Sequence, residues 1–210
     1  MTQTHSPLIL QANALHFSYP NHPIFSNFSA SMAPGVTLVR GGDGRGKSTL
    51  LRLLAGVLPA QSGQLRIQGV DLGAQPANYK AQVFWAEPRA DAFDPLTALD
   101  YFELQRSAYT NFDDAVLADM TDGLGLEEHL HKQLFMLSTG SKRKVFLAAA
   151  FASGAAVTLL DEPFAALDTV SIGFIVAWLE SNANDGRAWV IADYVAPEGL
   201  DLAHVIDLGE

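Results

Sequence analysis

Nine consecutive residues constrain this chain more than any others. Gly41-Gly42-Asp43-Gly44-Arg45-Gly46 runs directly into Lys47-Ser48-Thr49, the Gly-x-x-x-x-Gly-Lys-Ser spacing of a phosphate-binding P-loop. The apolar stretch at 36–40 predicts a short strand before it. Leu50, Leu53, Leu54 and Val57 fall at i, i+3, i+4 and i+7 after it and predict a helix that Pro59 stops. Glycines allow the backbone to wrap closely, so that successive N–H groups point inward. The helix start adds its unpaired N–H groups and the positive end of its dipole. Lys47 brings a charge to the outer phosphates and Ser48 offers a hydroxyl to Mg2+. Asp43 and Arg45 fill the variable positions, and Thr49 completes the helix start.

A second feature gains weight from the first. Val157-Thr158-Leu159-Leu160 is an apolar run that ends in Asp161-Glu162. After a P-loop, acids at such a strand end belong to the same site. Asp161 is expected to hold the Mg2+ shell, and Glu162 to orient or activate the water that attacks a γ-phosphate.

The remaining pattern predicts an α/β fold. Alternation and turn residues over 8–33 predict a small antiparallel sheet. Strands are expected at 64–68, 82–86, 156–160, 188–192 and, at an edge, 203–208; helices are expected over 141–153 and from an Asp168 cap to about Ser181. Val170, Phe174, Ile175, Trp178 and Leu179 form the apolar side of that last helix. The stretch from Glu87 to Glu128 is acidic, with only Arg89 and Arg106 to offset it, and reads as a helical insertion with a solvated acidic face. The expected architecture is a P-loop NTPase core with a mostly parallel sheet, an N-terminal antiparallel β subdomain and a helical subdomain at about 88–155, within one domain spanning 1–210.

Composition excludes several alternatives. No Cys among 210 residues removes disulfides, thiolate metal sites and Cys nucleophiles together. A net charge of −10 argues against a nucleic-acid partner and against a polybasic membrane anchor. The start of the chain lacks a signal-peptide pattern. The apolar run at 145–160 is interrupted by Ser153, Gly154 and Thr158 and reads as a core helix followed by a core strand. The six His make no metal-ligand spacing, and no Ser/His/Asp arrangement is legible.

A third motif selects a family. Leu137-Ser138-Thr139-Gly140-Ser141-Lys142 precedes the 141–153 helix, and Pro163-Phe164-Ala165-Ala166-Leu167-Asp168 follows the acidic pair. The order of these motifs resembles that of ATP-binding cassette (ABC) ATPases, whose signature usually reads Leu-Ser-Gly-Gly-Gln, and the match runs from about Leu8 to Leu208. The resemblance implies ATP and Mg2+ as ligands, with Tyr19 stacking on adenine and Phe17 as its fallback. It implies that Ser138 and Gly140 contact ATP held by a second subunit, a homodimer or heterodimer partner, and that Asp168, in the Ala166-Leu167-Asp168 loop, is a further nucleotide-binding residue. It also implies a separate transmembrane permease docked around 87–109, a peripheral position on the cytoplasmic membrane face, and similarity to stand-alone exporter cassettes, including the haem-exporter type. Lys142-Arg143-Lys144 reads as a solvated basic turn.

Two departures accompany the resemblance. Glu87 stands where the family has a Gln that reaches Mg2+, and Tyr194 where it has a switch His. Tyr can donate a hydrogen bond, but with a pKa near 10 it cannot become a cation. Slower hydrolysis is therefore expected. The rival readings are a hydrolysis-impaired regulatory cassette, a non-transport ABC ATPase and, less consistent with the signature, a P-loop kinase.

Overall fold

The computed structural model describes residues 8–86, 91–182 and 185–210. Its elements in chain order are β1 (Leu10–Tyr19), β2 (His22–Met32), β3 (Gly35–Arg40), α1 (Lys47–Leu54), β4 (Ser62–Ile67), β5 (Val70–Asp71), α2 (Pro76–Lys80), β6 (Val83–Ala86), α3 (Ala98–Ala108), α4 (Asp114–Gly123), α5 (Thr139–Ala152), β7 (Val157–Asp161), α6 (Thr169–Asn182), β8 (Ala188–Ala192) and β9 (His204–Asp207). They form an antiparallel sheet, β2-β1-β4-β5, and a parallel sheet, β6-β7-β8-β3-β9. The mixed α/β architecture is the one the motifs led us to expect, with β9 at an edge.

The parallel strands are apolar on both faces because both faces are covered. Side chains alternate along a strand, so Leu160, Trp189 and Ile191 join one core while Val157, Leu159, Val190 and Ala192 join the other. The first core also contains Tyr101 and Phe102 of α3, Met120 of α4, the buried run from Val145 to Ala152 in α5, and Ile175 and Leu179 of α6. The second contains Leu50, Leu51, Leu53 and Leu54 of α1 together with Leu10, Leu15 and Ile67 of the antiparallel sheet. The P-loop helix is thus clamped between the two sheets.

The structure departs from the sequence pattern in two helices. α1 stops at Leu54, short of Pro59, because Gly56 takes a left-handed φ of 67° and the Tyr79 hydroxyl donates to the Leu54 carbonyl at 2.7 Å. Val57 is consequently exposed rather than part of the apolar face. In α6, Asp168 caps as expected, accepting from the Ser171 N–H at 2.8 Å. That cap turns Ser171 inward and leaves Val170 80% exposed.

One residue that the sequence pattern does not single out pins α5 to the sheet. Arg187, at the entry to β8, donates to the carbonyls of Phe151 and Ala155 at 2.9 Å each and of Ala150 at 3.3 Å. It also donates to Thr158 Oγ1 at 2.8 Å, and its guanidinium lies 4.2 Å from the Trp189 ring centre. A cation at the carbonyl end of a helix is favoured by the helix dipole. Burial pulls the guanidinium pKa down to about 10, with Asp185 opposing. Arg187→Met keeps the apolar stem and removes these donors, with the Ala150 carbonyl still accepting from Ser153 Oγ. We expect it to cost about 3 kcal/mol of stability, read as a lower midpoint in urea at unchanged slope.

Candidate functional site

The site lies where three neighbouring parallel strands end. β8 pairs with β3 through Val39↔Ala192 and with β7 through Asp161↔Ala192. Beyond those pairs, the Glu162 N–H donates to the Ala192 carbonyl at 2.8 Å and the Asp193 N–H to the Val39 carbonyl at 3.1 Å. The register therefore sets the P-loop, Asp161-Glu162 and Asp193-Tyr194 side by side at the carboxyl edge of the sheet, the usual ligand edge of open α/β sheets.

Gly46 begins α1 with a φ of 96°, in the left-handed region. A Cβ there would come within 2.5 Å of Ile24 Cγ2 and 3.2 Å of Phe25 Cζ. Only glycine fits between the loop and β2. Lys47 is buried, and its Nζ donates to the carbonyls of Gly41 at 2.6 Å and Gly42 at 3.2 Å. The Tyr194 ring centre lies 4.1 Å from the same Nζ, and the Tyr194 hydroxyl donates to Asp43 Oδ1.

A cleft of about 330 Å3 opens over the loop, lined by Tyr19, His22, Ile24, Gly42, Asp43, Gly44, Arg45, Gly46, Lys47, Ser48, Thr49 and Glu162. Tyr19 lies edge-on to Phe17, with ring centres 5.0 Å apart, and its hydroxyl is 3.3 Å from Thr49 Oγ1. Phe17 is buried in the core and Tyr19 faces the cleft. His22, which the motifs do not single out, joins it from the start of β2.

The acids differ in environment. Burial pushes the Asp161 carboxyl up, while a hydrogen bond from Ser48 opposes the rise. Its Oδ1 is buried without a protein partner among the described residues. Burial also pushes Asp193 up, opposed by a hydrogen bond from the Tyr194 N–H. Glu162 is exposed, on a left-handed backbone with a φ of 47°. Arg143 reaches this group from α5. Burial lowers its pKa, and Glu162, Asp161 and Asp193 oppose the fall by raising it.

The signature turn is tied to the loop that follows the acids. Ser138 caps α5, its Oγ accepting from the Ser141 N–H at 3.1 Å. A Cβ on Gly140 would come within 2.5 Å of the Ala166 carbonyl oxygen. Arg143 donates to the Ala165 carbonyl, and Lys144 Nζ donates to Asp168 Oδ2 at 2.8 Å. Lys142 bonds Asp94. The expected solvated basic turn is instead three separate anchors, because each side chain finds an acceptor from another segment.

The family model described as "ABC transporter" matches residues 25–165. A cytochrome c biogenesis ATP-binding export protein, CcmA, of Idiomarina loihiensis is 34% identical over 217 residues, covering 97% of this chain and 98% of that protein. The protein of the same name in Pseudomonas savastanoi pv. phaseolicola is 29% identical over 207 residues, covering 98% and 97%. A manganese transport system ATP-binding protein of Synechocystis is 29% identical over 206 residues, covering 92% of this chain and 78% of that protein. The solved ATP binding subunit of an ABC transporter superposes with a TM-score of 0.81 at 21% identity, covering 89% of this chain and 80% of that one. The chain belongs to the ABC transporter family.

The cassette brings together most of the residues singled out from its sequence. Tyr19, Asp43, Lys47, Ser48, Thr49 and Glu162 share one cleft, and Tyr194 reaches in from beside it. Gly41 lies beneath Lys47. Among the described residues, the cleft has no lining from Ser138, Gly140 or Asp168. Glu87 lies outside the described residues. Arg143 and Asp193 complete the charge around the acids. Arg143 has the sequence signal of a basic residue one helical turn inside a signature, and Asp193 that of an acid at a strand end.

The Lys144–Asp168 pair carries a pH signature. The Lys144 ammonium first, then the Ser171 N–H and hydroxyl, hold the Asp168 carboxyl well below the usual carboxylate range. A carboxyl whose folded pKa is lowered stabilises the fold above its unfolded pKa of about 3.9, and that contribution is lost as pH falls through the folded value. Asp168→Asn is expected to lower Tm at neutral pH, and the gap from the wild-type chain is expected to narrow steadily below about pH 4. Thermal melts across the acid range measure it.

Proposed function

We propose that the cassette binds and hydrolyses ATP with Mg2+, closes on a second cassette, and drives a separate membrane permease. The observation that carries this reading is the grouping of the 41–49 loop, Asp161-Glu162 and Tyr194 at adjoining strand ends, with the 138–140 turn outside the cleft. The loop's N–H groups and Lys47 hold the phosphates. Tyr19 offers a ring to the base. Ser48 and Asp161 fit a cation, since Asp161 Oδ1 is buried without a protein donor beside the Ser48 hydroxyl. When bound, Mg2+ supplies charge neutralisation at the phosphate oxygens. Glu162 stands exposed at the mouth and orients the attacking water.

A second chain supplies what one cleft lacks. Ser138 caps a helix whose N-terminal N–H groups suit an anion, and Gly140 keeps that turn narrow. Opposed to the cleft of a partner cassette, the turn covers the γ-phosphate, with the Asp168 loop between the two sites. No helix among the described residues is long and apolar enough to cross a membrane. In this reading a separate permease docked around residues 87–109 supplies the pathway and holds the cassette at the cytoplasmic face of the membrane, as the relatives' transport and export names favour. The relatives' names point to different cargoes, a biogenesis export protein and a manganese transport protein at equal identity. The matched residues therefore belong to the shared energy machinery. The full-length similarity to the export proteins favours an export role.

Tyr194 makes turnover slow. Its hydroxyl is engaged by Asp43, and that bond, followed by burial and the charges of Asp43, Glu162 and Asp193, pushes its pKa up. The same observation favours a second reading, a cassette that closes on ATP and barely hydrolyses it. Phosphate release and ATP-dependent dimerisation, each measured with Mg2+, separate the two. We expect Glu162→Gln to cut turnover by at least ~100-fold and retain an ATP-bound dimer. We expect Tyr194→Phe to lower turnover by about tenfold or less. Unchanged turnover in Tyr194→Phe, beside a Glu162→Gln that abolishes it, removes Tyr194 from the mechanism. A dimer without wild-type turnover selects the second reading.

A further inference from the structure

The hydrogen bond between Asp43 and Tyr194 joins two residues that sequence motifs treat separately, one a variable loop position and the other a strand-end residue 151 positions away. The inference drawn from it rests on the cleft being a nucleotide site. Lys47 Nζ is held on one side by the Gly41 and Gly42 carbonyls and covered on another by the Tyr194 ring at 4.1 Å. The Tyr194 hydroxyl is occupied by a carboxylate. A hydroxyl has one proton to donate and can serve one acceptor at a time. Asp43 also places a negative charge at the lip where phosphate oxygens must approach Lys47, and Glu162 and Asp193 face the same hydroxyl with further negative charge. Both latch residues are open to solvent, Tyr194 at 47% exposure, so the bond can break without unpacking the core.

We propose that Asp43 and Tyr194 form a latch over Lys47 that selects against the outermost phosphate. A nucleoside triphosphate binds at full strength only when the Tyr194 hydroxyl leaves Asp43 for a phosphate oxygen. A nucleoside diphosphate makes no such demand and leaves the latch closed. Asp43 is then the specificity-determining residue, and Tyr194 the donor it withholds.

Calorimetric binding of MgATP and of MgADP to the full chain tests the latch, with wild type, Asp43→Asn, Tyr194→Phe and the double variant compared. The readout is the ratio of ATP to ADP affinity, which a general loosening of the fold does not move. Asp43→Asn is expected to raise that ratio about tenfold in favour of ATP, through loss of the opposing charge and replacement of a charged acceptor by a weaker neutral one. Tyr194→Phe is expected to lower the ratio at least about threefold more in the Asp43→Asn background than in the wild-type background, since the neutral amide holds the hydroxyl less firmly against a phosphate oxygen than the carboxylate does. Thermal midpoints confirm folding, and Asp43→Ser replaces Asp43→Asn if that variant is unstable. A ratio unmoved by either substitution of Asp43, or strictly additive effects, overturns the latch while leaving the nucleotide site intact. A wild-type chain that binds neither nucleotide overturns the site itself and the latch with it.

Discussion

The pairing of β8 with β3 on one side and β7 on the other determines what this protein can do. Each parallel pair is in register to its last residue, so that Val39, Asp161 and Ala192 lie level across three strands. Side-chain direction alternates along a strand, and a slip of one residue in either pair would exchange the two cores and turn the acids away from the loop. Burial on both faces prevents that slip, since Trp189 and Ile191 fill one core and Val190 and Ala192 the other. The hydrophobic layers thereby fix the positions of polar groups that contribute little to stability themselves. Lys47 and the acids stand at a common edge because apolar residues several positions earlier in each strand have no alternative packing.

α5 is held at both ends by different chemistry. At its carbonyl end, Arg187 gathers three backbone oxygens and Thr158 Oγ1. At its N-terminal end, Arg143 and Lys144 bond the loop between Glu162 and α6, and Gly140 lies against the Ala166 carbonyl. The signature turn and the acid loop are therefore coupled without touching the cleft from within the chain. The Ala165 and Asp168 anchors thus fix the signature turn against the segment that follows Glu162.

What could be read from the sequence was what is local. The P-loop, the acidic strand end and the Asp168 cap each occupy a few consecutive residues, and their chemistry follows from spacing alone. The features that sequence spacing misses are set by distant segments. α1 ends at Leu54 because Gly56 and Tyr79 act there, and the 3.6-residue pattern continuing to Val57 carries no trace of Tyr79. Lys142, Arg143 and Lys144 form a basic run in sequence, yet their acceptors, Asp94, the Ala165 carbonyl and Asp168, come from two other segments. Arg187 reads as a lone loop arginine, and only the approach of the α5 carbonyls gives it a role. The addition of β4 and β5 to the antiparallel sheet likewise depends on pairing with β1 across some fifty residues of chain.

The charge balance of the site explains why its parts are arranged as they are. Asp43, Asp161, Glu162 and Asp193 share the site with Arg45, Lys47 and Arg143, so it carries four acids against three cations before any phosphate arrives. Burial already opposes ionisation of Asp161 and Asp193. A polyphosphate adds further negative charge, which fixed N–H dipoles, Lys47 and Arg45 offset only in part. Ser48 bonds the Asp161 carboxyl, yet its buried Oδ1 has no protein donor among the described residues, so burial there is only partly compensated. Asp43 stands at the opposite, exposed lip, where water screens it. An acid there is screened by water, whereas Asp161 lies where burial already opposes its charge.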